Sequence, residues 1–260
     1  MTAPPRKREL RIVALGGVPL VQEGDDLAAI VLAALEHSGE ALASGDVLVL
    51  AQQIVSKSTG RQVELATVQP SPRALELAAV VDKDARVIEL ILRESKSVLR
   101  ARRDVIVVEH RLGFVMANAG IDLSNVEGNS QESRALLLPL DPDAECRKLR
   151  ATWRERTQSD GAVIINDSHG RAWRNGTVGV AIGCAGLPAL LDLRGKPDLF
   201  GRPLRITQVG LADELAAAAS LMMGQASEGT PIVLIRGLEC EAQDGSAADL
   251  VRPKEMDLFR

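Results

Sequence analysis

Tyrosine is absent from the 260 residues, and aromatic residues amount to only 2%: three phenylalanines and two tryptophans. The core must therefore be aliphatic, and the aromatic platforms on which proteins stack single-stranded nucleic acid are not available. A net charge of −4 with a pI near 5.6 argues against a general nucleic-acid binder as well. It leaves room for a small anionic ligand, because a local cluster of Lys, Arg or metal can act against the overall sign. The three cysteines, Cys146, Cys184 and Cys240, are widely spaced and form no CxxC pair. That pattern fits small buried hydrophobes with free thiols in a reducing cytoplasm better than zinc ligation. No apolar stretch reaches 18 residues, so no helix is expected to span a membrane, and the basic N-terminus is followed by no signal-peptide core. Familiar catalytic and nucleotide signatures are missing too: no GxxxxGKS or GxxxxGKT phosphate loop, no GxGxxG after the first strand, no HExxH, no GxSxG. Whatever binds phosphate here does so in another way.

What is present is a folded globular chain, 46% hydrophobic and 25% charged. Apolar residues 10–15 read as a strand stopped by Gly16-Gly17-Val18-Pro19. Asp25-Asp26 opens a helix with Leu27, Ile30, Val31, Ala34 and Leu35 at helical spacing, ended by Ser38-Gly39. Residues 46–50 form a second strand, followed by a polar run, 52–61. Helices are expected over 71–81 and 85–97, with Arg100, Arg102 and Arg103 as a charged helix end. Residues 105–109 and 114–117 flank a turn at His110–Gly113 and predict a hairpin. A long polar stretch, 118–134, precedes a strand at 136–140. Asp141-Pro142 begins a helix with Cys146, Leu149 and Trp153 on its buried stripe. Strands follow at 162–165 and 177–182, an alanine-rich helix at 213–223, and a final strand at 231–235. The tail from 239 to 260 is polar and is expected to be poorly ordered. Hairpins interrupt any clean β-α-β alternation, so the fold class is α+β, mixed α/β with two-layer sub-domains and not a doubly wound sheet.

Chemistry is concentrated in polar clusters at strand ends. Asn118-Ala119-Gly120-Ile121-Asp122-Leu123-Ser124-Asn125 sets an acid and two amides around a glycine turn. Asn166-Asp167-Ser168-His169-Gly170-Arg171 places an acid beside a hydroxyl, with arginines behind. Oxygen-only ligands from separate segments suit Mg²⁺ or Mn²⁺, and arginine suits phosphate or carboxylate substrates. Asp and Asn beside glycine are also ordinary turn formers, so each cluster alone is open to that reading. Lys57, in the polar run after a strand, could reach a nucleotide phosphate or could be a solvated surface lysine. His169 could be a general base or only a hydrogen-bonding residue.

The segments Gly17-Val18-Pro19-Leu20, Ile54-Val55-Ser56-Lys57, Asn118–Asp122, Asn166–Arg171 and Gly176-Thr177-Val178-Gly179, with the Gly224-Gln225 loop, occur in an order that resembles the coenzyme F420-0:L-glutamate ligase family. The likeness covers residues 10–238. It implies an intertwined homodimer that uses GTP and two divalent ions, Mg²⁺ or Mn²⁺, with K⁺ in some members. The reaction it implies is amide formation between L-glutamate and the lactyl carboxylate of the deazaflavin coenzyme F420-0, with further glutamates added by γ-linkage in some members. Asp122 and Asp167 would hold one metal, and Ser168 and Gln225 would help hold a second. Gly17, Val18, Pro19, Leu20, Gln52, Lys57, Asn125 and the loop Met223, Gly224, Gln225, Ala226, Ser227, Glu228, Gly229 and Thr230 would contact GTP. Arg171 and Arg174 are candidates for meeting the anionic acceptor.

This sequence departs from the family pattern at a few points. Ser168 stands where threonine is usual, which keeps the hydroxyl. Thr59 stands where a glutamate commonly precedes Gly60, and Gln52-Gln53 replaces the more usual Ser-Lys, removing one positive charge. Two-domain relatives carry a nitroreductase-like second domain that this chain lacks, so a ligase-only protein is expected. Two other readings stay open on sequence: a ligase for a different amino acid or acceptor, and a non-catalytic module binding deazaflavin or nucleotide.

Overall fold

In the computed structural model, residues 8–123, 134–240 and 243–258 are described. Strand β1 (Arg11–Ala14) leads to helix α1 (Leu27–His37), whose Asp26 cap accepts the N–H groups of Ala28 and Ala29. Strand β2 (Val47–Ala51) runs directly into α2 (Gln52–Ser58), and β3 (Gln62–Glu64) follows. Next come α3 (Pro72–Val81) and α4 (Ala85–Arg93), then β4 (Ser95–Arg102), β5 (Val105–His110), β6 (Val115–Ala117) and β7 (Arg134–Leu136). Helix α5 (Pro142–Thr157) starts as the sequence signals, with Asp141 Oδ1 accepting Ala144 N–H at 2.8 Å. The remainder is β8 (Ala162–Arg171), β9 (Arg174–Ala185), β10 (Leu191–Asp192), β11 (Gln208–Val209), α6 (Leu211–Met223) and β12 (Ile232–Arg236).

Five strands make the central sheet, in the order β1-β12-β2-β8-β9; β2 and β8 are parallel and the other neighbours antiparallel. Successive β2 residues point to opposite faces, as the strand period requires. Leu48 and Leu50 join a core with Val31 and Leu35 of α1 and Cys146 and Trp153 of α5. Val47 and Val49 join a second core with Leu215, Ala216 and Ala219 of α6. Helices therefore cover both faces, giving three layers where two were expected. A smaller lobe does have two layers, with α3 and α4 packed on the sheet β4-β5-β6 around Leu77, Ile88, Ile91, Ile106 and Val108. The mixed α/β class stands.

Several boundaries depart from the sequence reading, each because a tertiary contact outweighs local pattern. The second helix of the pair stops at Arg93, because Glu94 turns inward to Arg61 and Arg111 and the chain then pairs with β5. Arg100 and Arg102 consequently lie on β4 and Arg103 just past it, not at a helix end. The polar run after β2 is a helix burying Gln52, Ile54, Val55 and Ser56. The strand expected at 136–140 is confined to Arg134–Leu136, which pairs with β3; Leu137 and Leu138 are buried outside it. Residues 166–171 are not a turn: β8 and β9 continue past the sheet as a paired ribbon. The tail is anchored, with Ala247 buried and the Ser246 hydroxyl and Ala247 N–H bound to Asp143. Cys146 and Cys184 are buried thiols, but Cys240 is exposed.

Candidate active site

The ends of β1, β2 and the β2-paired part of β8 fall at the same edge of the central sheet as the start of β12, a consequence of the strand directions. Open sheets bind ligands beyond the carboxyl ends of their parallel strands, where connections diverge. Here β2 leaves the edge through α2 while β8 goes on as the ribbon with β9. A cavity of about 700 Å³ lies at this point. Its walls come from residues 18–21, 51–54 and 57, 116–118, 120–122, 166–169 and 223–231.

Asp122 reaches the cavity through an unusual backbone. Asn118, Ala119 and Gly120 all have left-handed φ, at 53°, 53° and 65°. Each left-handed non-glycine residue costs about 1–2 kcal/mol. The turn is held by Lys83 Nζ, which donates to Asn118 Oδ1 at 2.8 Å, and by burial of Ala119. Asp122 then bridges Leu136 through its own N–H and carbonyl, at 3.0 and 2.9 Å. Its carboxylate accepts from the Gln53 amide across the cavity. A Cβ on Gly120 would lie 2.7 Å from Met116 and 3.0 Å from Leu138. Gly120→Ala is expected to lose about 1–2 kcal/mol of stability and to lower activity by displacing Asp122. Thermal melts and steady-state assays check both effects.

The ribbon sorts the other donors by its period of two. Asp167 and His169 share a face, with His169 Nε2 3.0 Å from Asp167 Oδ2 and its ring edge-on to Phe114 of the smaller lobe. Ser168 points the opposite way, donating to Gln225 Oε1 at 2.9 Å, while Gln225 Nε2 donates to Ser220 Oγ of α6 at 3.2 Å. A register shift between Ile165 and Asn166 precedes this arrangement. It leaves Ile182 as the extra residue of β9, and Asp213 Oδ1 holds the adjacent Ala181 N–H at 2.9 Å. Bulges of this kind re-aim side chains near functional sites. Burial pushes the Asp213 carboxyl up, against the pull of that N–H and of His169. Asn166 is buried, its Nδ2 donating to Met223 Sδ at 3.5 Å, while its Oδ1 has no hydrogen-bond partner among the described residues.

Nearly all the expected contact residues meet here. Val18, Pro19, Leu20, Gln52, Lys57, Met223, Gly224, Gln225, Ala226, Ser227, Glu228, Gly229 and Thr230 line the cavity, together with Asp122, Asp167 and Ser168. Gly17 does not. Its φ of 73° and the His37 ring packed against its Cα make it a shaping residue for the turn. The Gln52 side chain turns inward and accepts from Ser56 Oγ at 2.8 Å. Asn125 lies outside the described residues. Thr59 caps α2 with its hydroxyl on Val55 O at 2.8 Å. Arg171 and Arg174 sit on the outer ribbon and do not line the cavity; Arg171 donates to Gly176 O at 2.9 Å.

Sequence reasoning missed the structural roles of Gln53, Asn166 and Ser220. Local pattern carries little trace of them, because the Gln53–Asp122 pair spans 69 residues. Among the described residues no group of three or more His, Cys, Asp and Glu converges as a metal site. The oxygen donors that line the cavity include two carboxylates, Asp122 and Asp167, the Ser168 hydroxyl and the Gln225 amide oxygen. That all-oxygen set fits Mg²⁺ or Mn²⁺, ions that combine one or two carboxylates with substrate phosphates and water.

The mixed sheet thus carries, at its divergent edge, one cavity lined by carboxylate, hydroxyl and amide groups and by Lys57. Comparison with known proteins gives the family. The sequence model described as F420-0:Gamma-glutamyl ligase matches residues 17–237. A coenzyme F420:L-glutamate ligase of Methanothermobacter thermautotrophicus is 47% identical over 253 residues, 96% of this chain and 99% of that protein. Those of Methanopyrus kandleri (47% over 250 residues, 94% and 96%) and Archaeoglobus fulgidus (41% over 251 residues, 96% of each) are similar along nearly the whole chain. The chain belongs to the F420-0:gamma-glutamyl ligase family. Among the described residues no helix is long and apolar enough to cross a membrane.

Proposed function

We propose that the protein is a GTP- and metal-dependent ligase that joins the amine of L-glutamate to the lactyl carboxylate of coenzyme F420-0. The observation that carries this is the meeting of Asp122, Asp167, Ser168, Gln225 and Lys57 around one cavity in a chain so similar to proteins named for that reaction. A carboxylate does not condense with an amine in water until its oxygen becomes a leaving group. In the proposed path an acceptor carboxylate oxygen attacks the γ-phosphorus of GTP, and the bond to the β-phosphate oxygen breaks to release GDP. The glutamate amine then attacks the acyl phosphate carbon, orthophosphate leaves, and the amine gives up a proton. Further glutamates joined through their γ-carboxylates follow the same chemistry.

Phosphoryl transfer needs positioning and charge neutralisation more than covalent help. Asp122 and Asp167 would hold one divalent ion, with Ser168 and Gln225 contributing to a second; these ions supply Lewis-acid neutralisation of phosphate charge. Lys57 presents a point charge to the phosphates. Asp167 is oriented by His169, and Gln225 by Ser220. With oxygen-18 in the acceptor carboxylate, one labelled oxygen should appear in the released orthophosphate. Product formed with unlabelled phosphate would refute the acyl phosphate.

The homodimer is part of the same proposal. Leu199, Phe200 and Ile206 are 99%, 82% and 87% exposed in the segment between β10 and β11, and Trp173 is 87% exposed at the ribbon tip. Apolar side chains so displayed support burial against a second copy. Phe200→Asp is expected to shift the protein from dimer to monomer in light scattering; an unchanged dimer would place the interface elsewhere.

A further inference from the structure

Asn118 lines the cavity and has no part in the proposed metal or nucleotide contacts. Its φ of 53° lies in the left-handed region, which asparagine tolerates better than most residues. Its carbonyl accepts Ile121 N–H at 3.0 Å and closes the turn that leads to Asp122. The side chain is fixed from outside the cavity. Lys83 stands just past α3 and does not line the cavity, yet its Nζ reaches Asn118 Oδ1 at 2.8 Å. An ammonium only donates, so the amide oxygen must face Lys83 and the two Nδ2 donors must point elsewhere. Among the described residues Nδ2 has no hydrogen-bond partner, and Asn118 is half-buried in the cavity wall. Lys83 is half-buried too; burial draws its ammonium below the ordinary lysine range, against the pull of Asp104. Asn118 Oδ1 thus stands in for water that the ammonium has lost.

We propose that Asn118 holds the acceptor carboxylate through Nδ2, and that Lys83 is the positioning residue that keeps this donor turned toward the cavity. The proposal rests on the phosphoryl-transfer reading of the site and adds the side from which the nucleophile enters. In such a transfer the attacking and leaving oxygens stand roughly in line, on opposite sides of the phosphorus. The expected nucleotide contacts at 18–20 and 223–230 lie on loops beside β1 and β12 of the central sheet. Ser168 faces that side through Gln225, whereas Asp167 and His169 face the smaller lobe. The turn at Asn118 follows β6 of the smaller lobe, so it stands where the attacking oxygen must arrive. A neutral amide suits the task. Its N–H orients one carboxylate oxygen without cancelling the charge that makes the other a nucleophile.

Asn118→Asp tests the contact, because aspartate keeps the size, tolerates the left-handed backbone and still accepts from Lys83, but replaces the donor with an oxygen. Equilibrium dialysis of F420-0 against each protein, with GDP and Mg²⁺ present, is expected to show binding weakened about tenfold or more in the variant. The steady-state KM for F420-0 should rise likewise, with the KM values for GTP and L-glutamate unchanged. Lys83→Met should raise the same KM, whatever it does to kcat through Asp122, and Lys83→Arg, which still donates, should restore it. A Lys83→Met protein with lower kcat and an unchanged KM for F420-0 would overturn the positioning role. Unchanged F420-0 binding in Asn118→Asp, or a rise confined to the KM for L-glutamate or GTP, overturns the carboxylate contact. Weakened F420-0 binding in Asn118→Asp with no product from the wild type would keep the contact and remove the ligase reading. A wild type that binds no F420-0 overturns both.

Discussion

Asp122→Asn should remove ligation, with turnover down by roughly 1,000-fold or more, while the protein melts within about 1 kcal/mol of the wild type. The two halves of that expectation come from different parts of the residue. The backbone of Asp122 makes the bridge to Leu136, and asparagine keeps it. The carboxylate faces the cavity and the Gln53 amide, where its charge would serve the proposed cation. Asp167→Asn should cause a similar loss, since Asp167 lies on the ribbon face directed to the smaller lobe. Mn²⁺ binding followed by electron paramagnetic resonance should fall in parallel for both. A variant with normal turnover would overturn the metal role of its aspartate.

Glu94→Ala should cost about 3–5 kcal/mol, a large share of a typical domain's 5–15 kcal/mol margin. Glu94 is only 8% exposed, with Arg61 at 2.9 Å, Arg111 at 3.0 Å and His110 Nε2 at 3.6 Å. Arg61 also donates to Leu138 O at 2.8 Å, so this cluster ties the segment after α2 to the hairpin that leads to Asp122. Alanine would leave two arginines of low exposure without their shared carboxylate. Burial raises the Glu94 carboxyl, but the His110 contact and the two guanidinium groups outweigh it and hold it at about 2, against an ordinary 4.5. A carboxyl depressed by folding contributes stability that is complete above its unfolded value and lost as pH falls through the folded one. The wild type should therefore lose stability between about pH 4.5 and 2 more steeply than Glu94→Gln. Melting temperatures across that range measure the difference; parallel curves would remove Glu94 from the acid transition.

Local signals survived folding where the interaction was itself local. The Asp26 and Asp141 caps, Pro142 at the start of α5, and the hairpin at His110 appear where the sequence places them. Distant partners erased other signals. The helical pattern through residue 97 is broken by Glu94, whose cations lie 17 and 33 residues away. The ribbon of β8 and β9 extends past the apolar runs 162–165 and 177–182 because its outer part lies beyond the sheet, where polar residues carry it. At the site, the residue types alone offered oxygen donors of the kind a hard cation takes, with turn formation as the alternative. Their placement around one cavity, and the opposite directions of Asp167 and Ser168, needed the strand register.

The most direct measurement is mass spectrometry of purified protein incubated with coenzyme F420-0, L-glutamate, GTP and Mg²⁺ or Mn²⁺, with each component omitted in turn. A product heavier by one or more glutamyl units, formed only when GTP and metal are both present, is the expected result. Unchanged F420-0 in the complete mixture, with GTP bound to the protein, would contradict the assigned acceptor or amino acid and return the question to another ligation partner.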